Sequence, residues 1–324
     1  MNAYDFSINY FAGLLLLNGQ DPYSNYLYRY PFPFTYLWAL LALPGYQAMS
    51  LMFVLWGVVN VGLLIFAFRK DFWKWVFFFP FLHELSAGQV EMLFWSAERL
   101  IVPGWRGAAL GALLTMKPQT MLVLLPWHVV DWLRHDRRTL LKWLVCTALL
   151  WGLPLLWRPD WIATWLTLRG GDANLVYSAS VTTGIFSLLR LSGESLRPPF
   201  SSTLIVWLVV LGAAALVIFI VGQLQRSKEI GKACALIANP LGLLYTQMTL
   251  MGTAPAWLLV PVNLVSIGLA LSLGNFVPCL ALPLAVLWWN LRHQPGKTPA
   301  QPPAVPQAAP GEQAAQRLGS SDEK

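Results

Sequence analysis

Charged side chains make up only 11% of this 324-residue chain, whereas 56% of its residues are hydrophobic. Because a soluble globular domain carries about 25% charged residues, this composition excludes an ordinary soluble protein and indicates a polytopic membrane protein. The formal net charge of +7 is gathered in short loops between apolar stretches. That placement argues against a nucleic-acid-binding protein, which needs a basic face on a water-exposed fold.

Residues 1–45 precede the first long apolar run and are predicted to form an external juxtamembrane segment. Within it, residues 6–17 are predicted to be a short amphipathic helix in the membrane interface. That helix should end near Gly19, with Asp21-Pro22 starting a turn. Keeping a polar, aromatic and proline-rich sequence beside a bilayer is energetically costly unless its residues form a functional site. This segment is therefore the first candidate for a functional site.

Residues 46–291 are predicted to be a multi-span transmembrane domain. Tyr46–Phe68 and Thr203–Leu224 each exceed the roughly 20 apolar residues that cross a bilayer. Weaker candidates, interrupted by proline or glycine, are 72–85, 88–102, 107–116, 118–133, 140–157, 233–250, 256–273 and 275–291. The fold class is therefore predicted to be an all-α transmembrane bundle, followed by a disordered tail over residues 292–324.

The basic loops predict the orientation of the spans. Arg69-Lys70, Arg134 to Lys142 and Arg226 to Lys232 should lie in the cytoplasm by the positive-inside rule. The chain tips at 87–91 and 116–119, together with a long loop at about 158–202, then fall on the external side with Asp5. We expect these polar interruptions to form one site.

Asp5 lies between aromatic residues at the predicted lipid–water boundary. Partial desolvation would raise its pKa and make it a better proton acceptor. The alternative is that Asp5 only caps the helix that follows it.

Lys117 interrupts an apolar stretch, and an ammonium in a membrane is a candidate functional group because its burial is costly. The natural partner of an outward-facing lysine is a phosphate, although a lysine that extends to the interface would look the same in sequence. Gln89 and Glu91 also interrupt an apolar hairpin.

We predict no metal site and no cofactor, because the histidines are scattered and the chain has no nucleotide-binding motif.

Five short motifs occur in a recognisable order: Asp5-Phe6 with Tyr10, Gly19-Gln20-Asp21-Pro22-Tyr23, Tyr30-Pro31-Phe32-Pro33, Gly88-Gln89-Val90-Glu91 and Lys117-Pro118. They resemble the landmarks of glycosyltransferase family 87, integral-membrane enzymes of GT-C type that include polyprenol-phosphate-mannose-dependent α-1,2-mannosyltransferases. The resemblance covers roughly residues 4–133. It implies a GT-C bundle with short juxtamembrane helices on the outer face of the plasma membrane of a bacterium.

The resemblance also implies site roles. Asp5 corresponds to the general base of an inverting transfer of a hexose, expected to be mannose, from a polyprenyl-phosphate donor to a lipid or glycan acceptor. Lys117 and, secondarily, Arg169 are expected to bind the donor phosphate. The residues expected to hold sugar or acceptor groups are Gln20, Asp21, Tyr30, Gln89, Glu91 and Gln119, with Phe32 and Phe34 lining a groove beside Tyr30.

One departure from the family accompanies the resemblance. Family members carry a transmembrane helix before this aspartate, whereas four residues precede Asp5 here. We therefore expect either a start further upstream or a member without its first span. The alternatives to an enzyme are a transporter or lipid-carrier flippase, since broken helices and intramembrane charges also suit a substrate path, and a non-catalytic subunit derived from such an enzyme.

Overall fold

The computed structural model describes residues 4–171, 183–185, 187–188, 227–239 and 242–293, without the side chains of 168–171. The predicted span Thr203–Leu224 and most of the predicted external loop lie outside the described residues. Contacts divide the chain into residues 1–290, which hold the features discussed below, and residues 291–324, of which 291–293 are described.

The described residues are helical, with no strand among them. The α-helices in chain order are α1 (Tyr4–Leu17), α2 (Thr35–Ala42), α3 (Met49–Phe68), α4 (Trp73–Val76), α5 (Phe79–Ala87), α6 (Glu91–Arg99), α7 (Trp105–Leu114), α8 (Pro118–His135), α9 (Arg137–Gly152), α10 (Trp161–Gly171), α11 (Lys228–Ala238), α12 (Ala256–Leu273) and α13 (Ala281–Arg292). Short 3₁₀ turns occur at Pro22–Ser24, Phe32–Phe34, Tyr46–Ala48, Arg69–Asp71, Leu153–Leu156, Leu244–Leu250 and Val277–Leu280.

Within the described ranges, three helical stretches are long and apolar enough to cross a membrane: Tyr46–Asp71, Arg137–Leu156 and Ala256–Leu273. They include α3, α9 and α12. In the first, only 17% of the apolar window is buried within the protein, so most of its apolar surface faces outward. Such a surface is unusual for a soluble protein and is what a lipid-facing helix presents. The first stretch confirms the strongest predicted span, and the other two were among the weaker candidates.

Several other predicted spans are divided into short helices. The stretch 72–102 contains α4, α5 and α6, and the stretch 233–250 divides into α11 and the turn Leu244–Leu250. The two predicted chain tips lie between helices, one between α5 and α6 and the other between α7 and α8. The breaks follow from local chemistry, because Gly88 adopts a left-handed backbone with φ +73° and Pro118 occupies the first position of α8.

The N-terminal segment packs against the bundle. A helix over the predicted residues 6–17 is confirmed and extends from Tyr4 to Leu17, while its location in the membrane interface stays a prediction. Phe6, Tyr10 and Trp38 are fully buried where α1 meets α2. Gly13 allows this approach, because a Cβ atom there would collide with the backbone of Trp38.

The contacts of the chain ends next to α3 and α9 link them to other segments. Near the start of α3, the Tyr10 hydroxyl donates to the Gly45 carbonyl at 2.7 Å. Just beyond α9, Arg158 forms an ion pair with Asp21 of the same N-terminal segment. At the other end, Gly104 N–H donates to Thr139 Oγ1 at the start of α9, at 2.7 Å.

Candidate functional site

A cavity of about 290 Å³ lies beside α1, close to the turn between α5 and α6. Its volume is at the lower limit of the roughly 300–1,000 Å³ typical of ligand pockets, so it matches one small ligand or one ring of a larger one. The residues that line it are Tyr4, Asp5, Ile8, Asn9, Leu27, Arg29, Tyr30, Gln89, Gln119, Leu243 and Tyr245.

The turn that carries Gln89 is built largely by Glu84. Its backbone carbonyl accepts from Gly88 N–H at 2.8 Å and from Gln89 N–H at 3.2 Å. Its fully buried carboxylate accepts from Met92 N–H at 2.8 Å, which satisfies a donor in the first turn of α6. A Cβ atom on Gly88 would collide with Phe6, so glycine lets the turn approach α1 closely. The result is that Gln89 lies next to Asp5.

The orientation of the Gln89 side-chain amide is set by three neighbours. Its Nε2 donates to Asp5 Oδ2 in a short hydrogen bond. Its Oε1 accepts from Lys117 Nζ at 3.1 Å and from the Tyr30 hydroxyl at 3.3 Å. Because both neighbours of Oε1 are donors, the amide nitrogen must be the end that faces the carboxylate. In the described part of the chain, Asp5 Oδ1 has no hydrogen-bond partner.

The main chain of this turn is anchored as well. Trp56 Nε1, on α3, donates to the Gln89 carbonyl at 2.8 Å. The candidate membrane-spanning helix therefore helps to hold the residue that contacts Asp5.

Lys117 lies behind Gln89 and does not line the cavity. Its side chain is fully buried and forms an ion pair with Glu91, which also accepts from the Thr120 hydroxyl at 3.2 Å. The ammonium lies 4.5 Å from the ring centroid of Tyr245, a cation–π distance. The cation and Glu91 neutralise each other in an interior where a lone charge would be very costly.

Burial raises the pKa of Asp5 above its ordinary value. The hydrogen bond from Gln89, the positive charge of Lys117 and the electrostatic effect of His83 act in the opposite direction and are smaller. A carboxylate with a raised pKa is a stronger base while it is ionised, so the surroundings of Asp5 suit proton acceptance.

Two uncharged polar groups beside Asp5 have no hydrogen-bond partner among the described residues. The Asn9 side chain is 3% exposed, lines the cavity and makes no hydrogen bond to any described residue. Gln119 also lines the cavity, and its buried Oε1 atom has no partner. Because unpaired polar groups are costly in an interior, such groups around a cavity favour a ligand rich in hydroxyl groups.

Four of the nine predicted site residues line the cavity: Asp5, Tyr30, Gln89 and Gln119. Glu91 and Lys117 form the buried layer behind it. Gln20 is exposed and lies outside the lining. The backbone of Arg169 belongs to α10, but its side chain is outside the described part of the structure.

Asp21 does not line the cavity, and its carboxylate instead holds parts of the fold together. Its carboxylate accepts from Tyr23 N–H at 2.8 Å and forms a two-point ion pair with Arg158, whose Nη2 lies 2.5 Å from Oδ2. It thus caps the turn Pro22–Ser24 and ties the N-terminal segment to the chain beyond α9. Phe32 and Phe34, which we expected in a groove, are each 2% exposed and belong to the hydrophobic core.

The sequence reasoning missed Arg29, Asn9 and Tyr245. Arg29 stands directly before the Tyr30-Pro31 motif, so a cation beside a predicted ligand groove could have been found. Asn9 lies one helical turn after Asp5 and therefore on the same face of α1, which is also a readable signal. Tyr245 has no such signal, because it reaches the site only through the fold.

Among the described residues, no group of three or more His, Cys, Asp or Glu side chains is placed to hold a metal ion. No family model, curated protein or solved structure matches this chain.

Proposed function

We propose that this chain is a membrane-bound inverting glycosyltransferase of GT-C type, similar to glycosyltransferase family 87. It would transfer a hexose, such as mannose, from a polyprenyl-phosphate sugar to a hydroxyl of a lipid or glycan acceptor. In this proposal the cavity at Asp5 opens to the outer side of a bacterial plasma membrane, and the bundle crosses that membrane several times.

The observation that carries the proposal is the environment of Asp5. A half-buried carboxylate lines a cavity of about 290 Å³, with one oxygen held by Gln89 and the other without a partner among the described residues. Asn9 and Gln119 supply uncharged polar groups in the same cavity. A base beside neutral hydrogen-bonding groups is what the activation of a sugar or acceptor hydroxyl requires.

The proposed reaction is a single displacement. Asp5 Oδ1 accepts the proton of the acceptor hydroxyl as its oxygen attacks the anomeric carbon of the donor sugar. The bond between that carbon and the phosphate oxygen breaks, and polyprenyl phosphate leaves with the electron pair. The proton on Asp5 then passes to solvent, which restores the carboxylate.

We assign the donor phosphate to Arg29 rather than to Lys117. Arg29 lines the cavity together with Asp5, whereas Lys117 is fully buried and lies outside the lining. A guanidinium also binds phosphate oxygens through two hydrogen bonds at once. For Lys117 to reach a phosphate, its pair with Glu91 would have to open inside the protein, which is costly.

The experiment is transfer of radiolabelled sugar from a panel of polyprenyl-phosphate sugars by membranes that contain the full chain. Asp5→Asn should lower the transfer rate by about 10²- to 10⁴-fold, the usual contribution of a positioned base. Asp160→Asn is the matched control, because Asp160 is exposed and outside the cavity. It should leave the rate unchanged.

Equal rates for Asp5→Asn and the wild type would contradict the assignment of the base. If the folded wild-type protein transfers none of the sugars, the glycosyltransferase proposal fails.

One observation favours transport as a second candidate. Glu91 and Lys117 are both fully buried within the bundle, and buried charged pairs also occur along ion and substrate paths. A transporter would move a labelled lipid-linked sugar or a sugar across a vesicle membrane without forming a new glycosidic bond. A subunit derived from the enzyme would do neither.

A further inference from the structure

A second cavity, of about 280 Å³, lies between the ends of α3 and α6. Its wall includes Arg69, Arg99 and Ser96 as polar residues and Leu63, Phe66 and Trp95 as apolar ones. From α3 it takes residues of the last two turns, whereas Trp56, which holds the turn beside Asp5, lies ten residues before Phe66. Ten residues of helix span about 15 Å, so this cavity is a different site from the candidate active site.

Two guanidinium groups at this cavity have no carboxylate partner among the described residues. Arg99 instead lies over aromatic rings, 4.9 Å from the Trp95 centroid and 5.8 Å from that of Phe68. The nearby acids already have partners, since Asp71 pairs with Lys74 at 2.6 Å and Glu98 with Lys232 at 2.9 Å. Within the described part of the chain, the cavity therefore carries positive charge that no carboxylate compensates.

The backbone of Arg69 adds a second observation. It has φ +49° and is the one non-glycine residue with positive φ among the described residues. This conformation is unfavourable for a residue with a Cβ atom, and such strain is often found at binding sites. Glycine would adopt this positive φ more easily than arginine does. The residue at this position is nevertheless an arginine, and it lines the cavity.

The apolar wall of the cavity indicates what kind of anion it would hold. Phe66 is 68% exposed on a helix long and apolar enough to cross a membrane, so its ring faces the space that lipid chains would occupy. A free phosphate ion would gain nothing from contact with apolar side chains. A phospholipid, by contrast, carries its phosphate next to acyl chains, which would pack against them. The end of a membrane-spanning helix is also where phospholipid headgroups lie.

We propose that this cavity binds one anionic phospholipid, with the phosphate between Arg69 and Arg99 and an acyl chain along Leu63 and Phe66. Two arginines provide forked donors for the phosphate oxygens, and the lipid-facing surface of α3 provides the chain contact. The site does not depend on the proposed glycosyltransferase activity.

The test measures binding of fluorescent phosphatidylglycerol to the full chain purified in a neutral detergent. Arg69→Gln/Arg99→Gln should weaken binding about 30-fold, since each basic residue near a lipid surface contributes roughly a factor of five. Lys70→Gln/Arg106→Gln removes the same charge from exposed residues outside the cavity and should weaken binding much less. An equal loss in both double variants would show general charge attraction and overturn the site.

Two further measurements identify the ligand. Phe66→Gln should weaken binding of phosphatidylglycerol, and inorganic phosphate should not displace the lipid. Displacement by inorganic phosphate at concentrations similar to those of the lipid would replace the lipid assignment with a free-anion site.

Arg69→Gly separates binding from folding. It removes one guanidinium and also relieves the positive φ, so the melting temperature should rise while the affinity for phosphatidylglycerol falls. Unchanged affinity in this variant would contradict the assigned role of Arg69.

Discussion

Helix α6 carries a buried carboxylate near each end, and the two have different surroundings. Glu91, its first residue, pairs with Lys117, and Glu98, its penultimate residue, pairs with Lys228 and Lys232. Both carboxylates are fully or almost fully buried. By sequence alone they are the same feature, a glutamate in a mainly apolar stretch.

The difference lies in what each pair leaves unsatisfied. Both oxygens of Glu98 have partners, with His128 Nε2 at 2.9 Å from Oε1 and Lys232 Nζ at 2.9 Å from Oε2. Glu91 keeps its Oε2 atom without a partner, and through Lys117 and Gln89 it connects to Asp5 and the cavity. A buried ion pair is therefore weak evidence of function by itself, whereas unpaired groups beside a cavity are stronger evidence.

The largest expected effect is on stability at the Glu98 cluster. Glu98→Ala leaves Lys232 buried without its carboxylate and should lower the free energy of unfolding by about 3–5 kcal/mol. Transfer per folded molecule should be unchanged. Denaturant unfolding in detergent measures the first quantity, with Asp131→Ala, at an exposed carboxylate, as the control. A lost rate with unchanged stability would place Glu98 in the functional machinery and remove the contrast between the two clusters.

The Lys117 cluster should lose transfer rate as well as stability, because its substitution also leaves Glu91 buried without a cation. Lys117→Met removes the cation that orients the Gln89 amide, so kcat should fall by about 100-fold, the scale reported for small misplacements at active sites. The apparent KM for the lipid donor should change little, because we assign the phosphate to Arg29. The double variant Lys117→Met/Glu91→Gln removes both charges. It should recover the stability lost in Lys117→Met but should not recover the transfer rate. A large increase in donor KM in the single variant would instead support Lys117 as the phosphate ligand.

A smaller effect is expected in the pH profile. The hydrogen bond from Gln89 lowers the pKa of Asp5, against the raising effect of burial. Gln89→Leu removes that bond, so the pKa of Asp5 rises further and a higher pH is needed to ionise the base. The acid limb of the kcat profile should therefore move to higher pH. Gln119→Leu, at another amide of the same cavity, should reduce the rate without moving the limb.

The smallest effect tests the close approach of the turn to α1. Gly88→Ala and Gly274→Ala both place a Cβ atom on a residue with positive φ, +73° and +62°. Each should lose about 1 kcal/mol of stability from backbone strain. Only Gly88→Ala also collides with Phe6, so it should lose more stability and lower the transfer rate. If Gly88→Ala and Gly274→Ala lose the same stability, the turn at Gly88 does not approach α1 closely.

Local patterns predicted several elements of the fold. The apolar run from Tyr46 predicted the first candidate span, and the interruptions at Gly88 and Pro118 predicted chain tips that lie between helices. These features depend on residues close in sequence, through hydropathy and backbone preference. For the same reason the helix around Asp5 was predictable, although its burial against α2 and α5 was not.

The partners of the charged residues could not be predicted in this way. Sequence position suggested sugar binding for Asp21, which the structure pairs with Arg158, and phosphate binding for Lys117, which it pairs with Glu91. In each case the partner comes from a different helix or loop. Which of several acids meets which cation depends on how helices pack, and no short motif contains that information.

The sequence by itself determined that this chain is helical and apolar enough for a membrane, and that polar residues interrupt its helices at particular points. Hydropathy and the conformational limits of glycine and proline act locally, so they can be read residue by residue. The sequence predicted that Asp5 and Gln89 belong to one site, but the tertiary structure alone decided that Tyr245 lines the same cavity and that Lys117 is neutralised behind it. The cost of burying a charge is settled by its three-dimensional neighbours, and those neighbours exist only once the helices have packed.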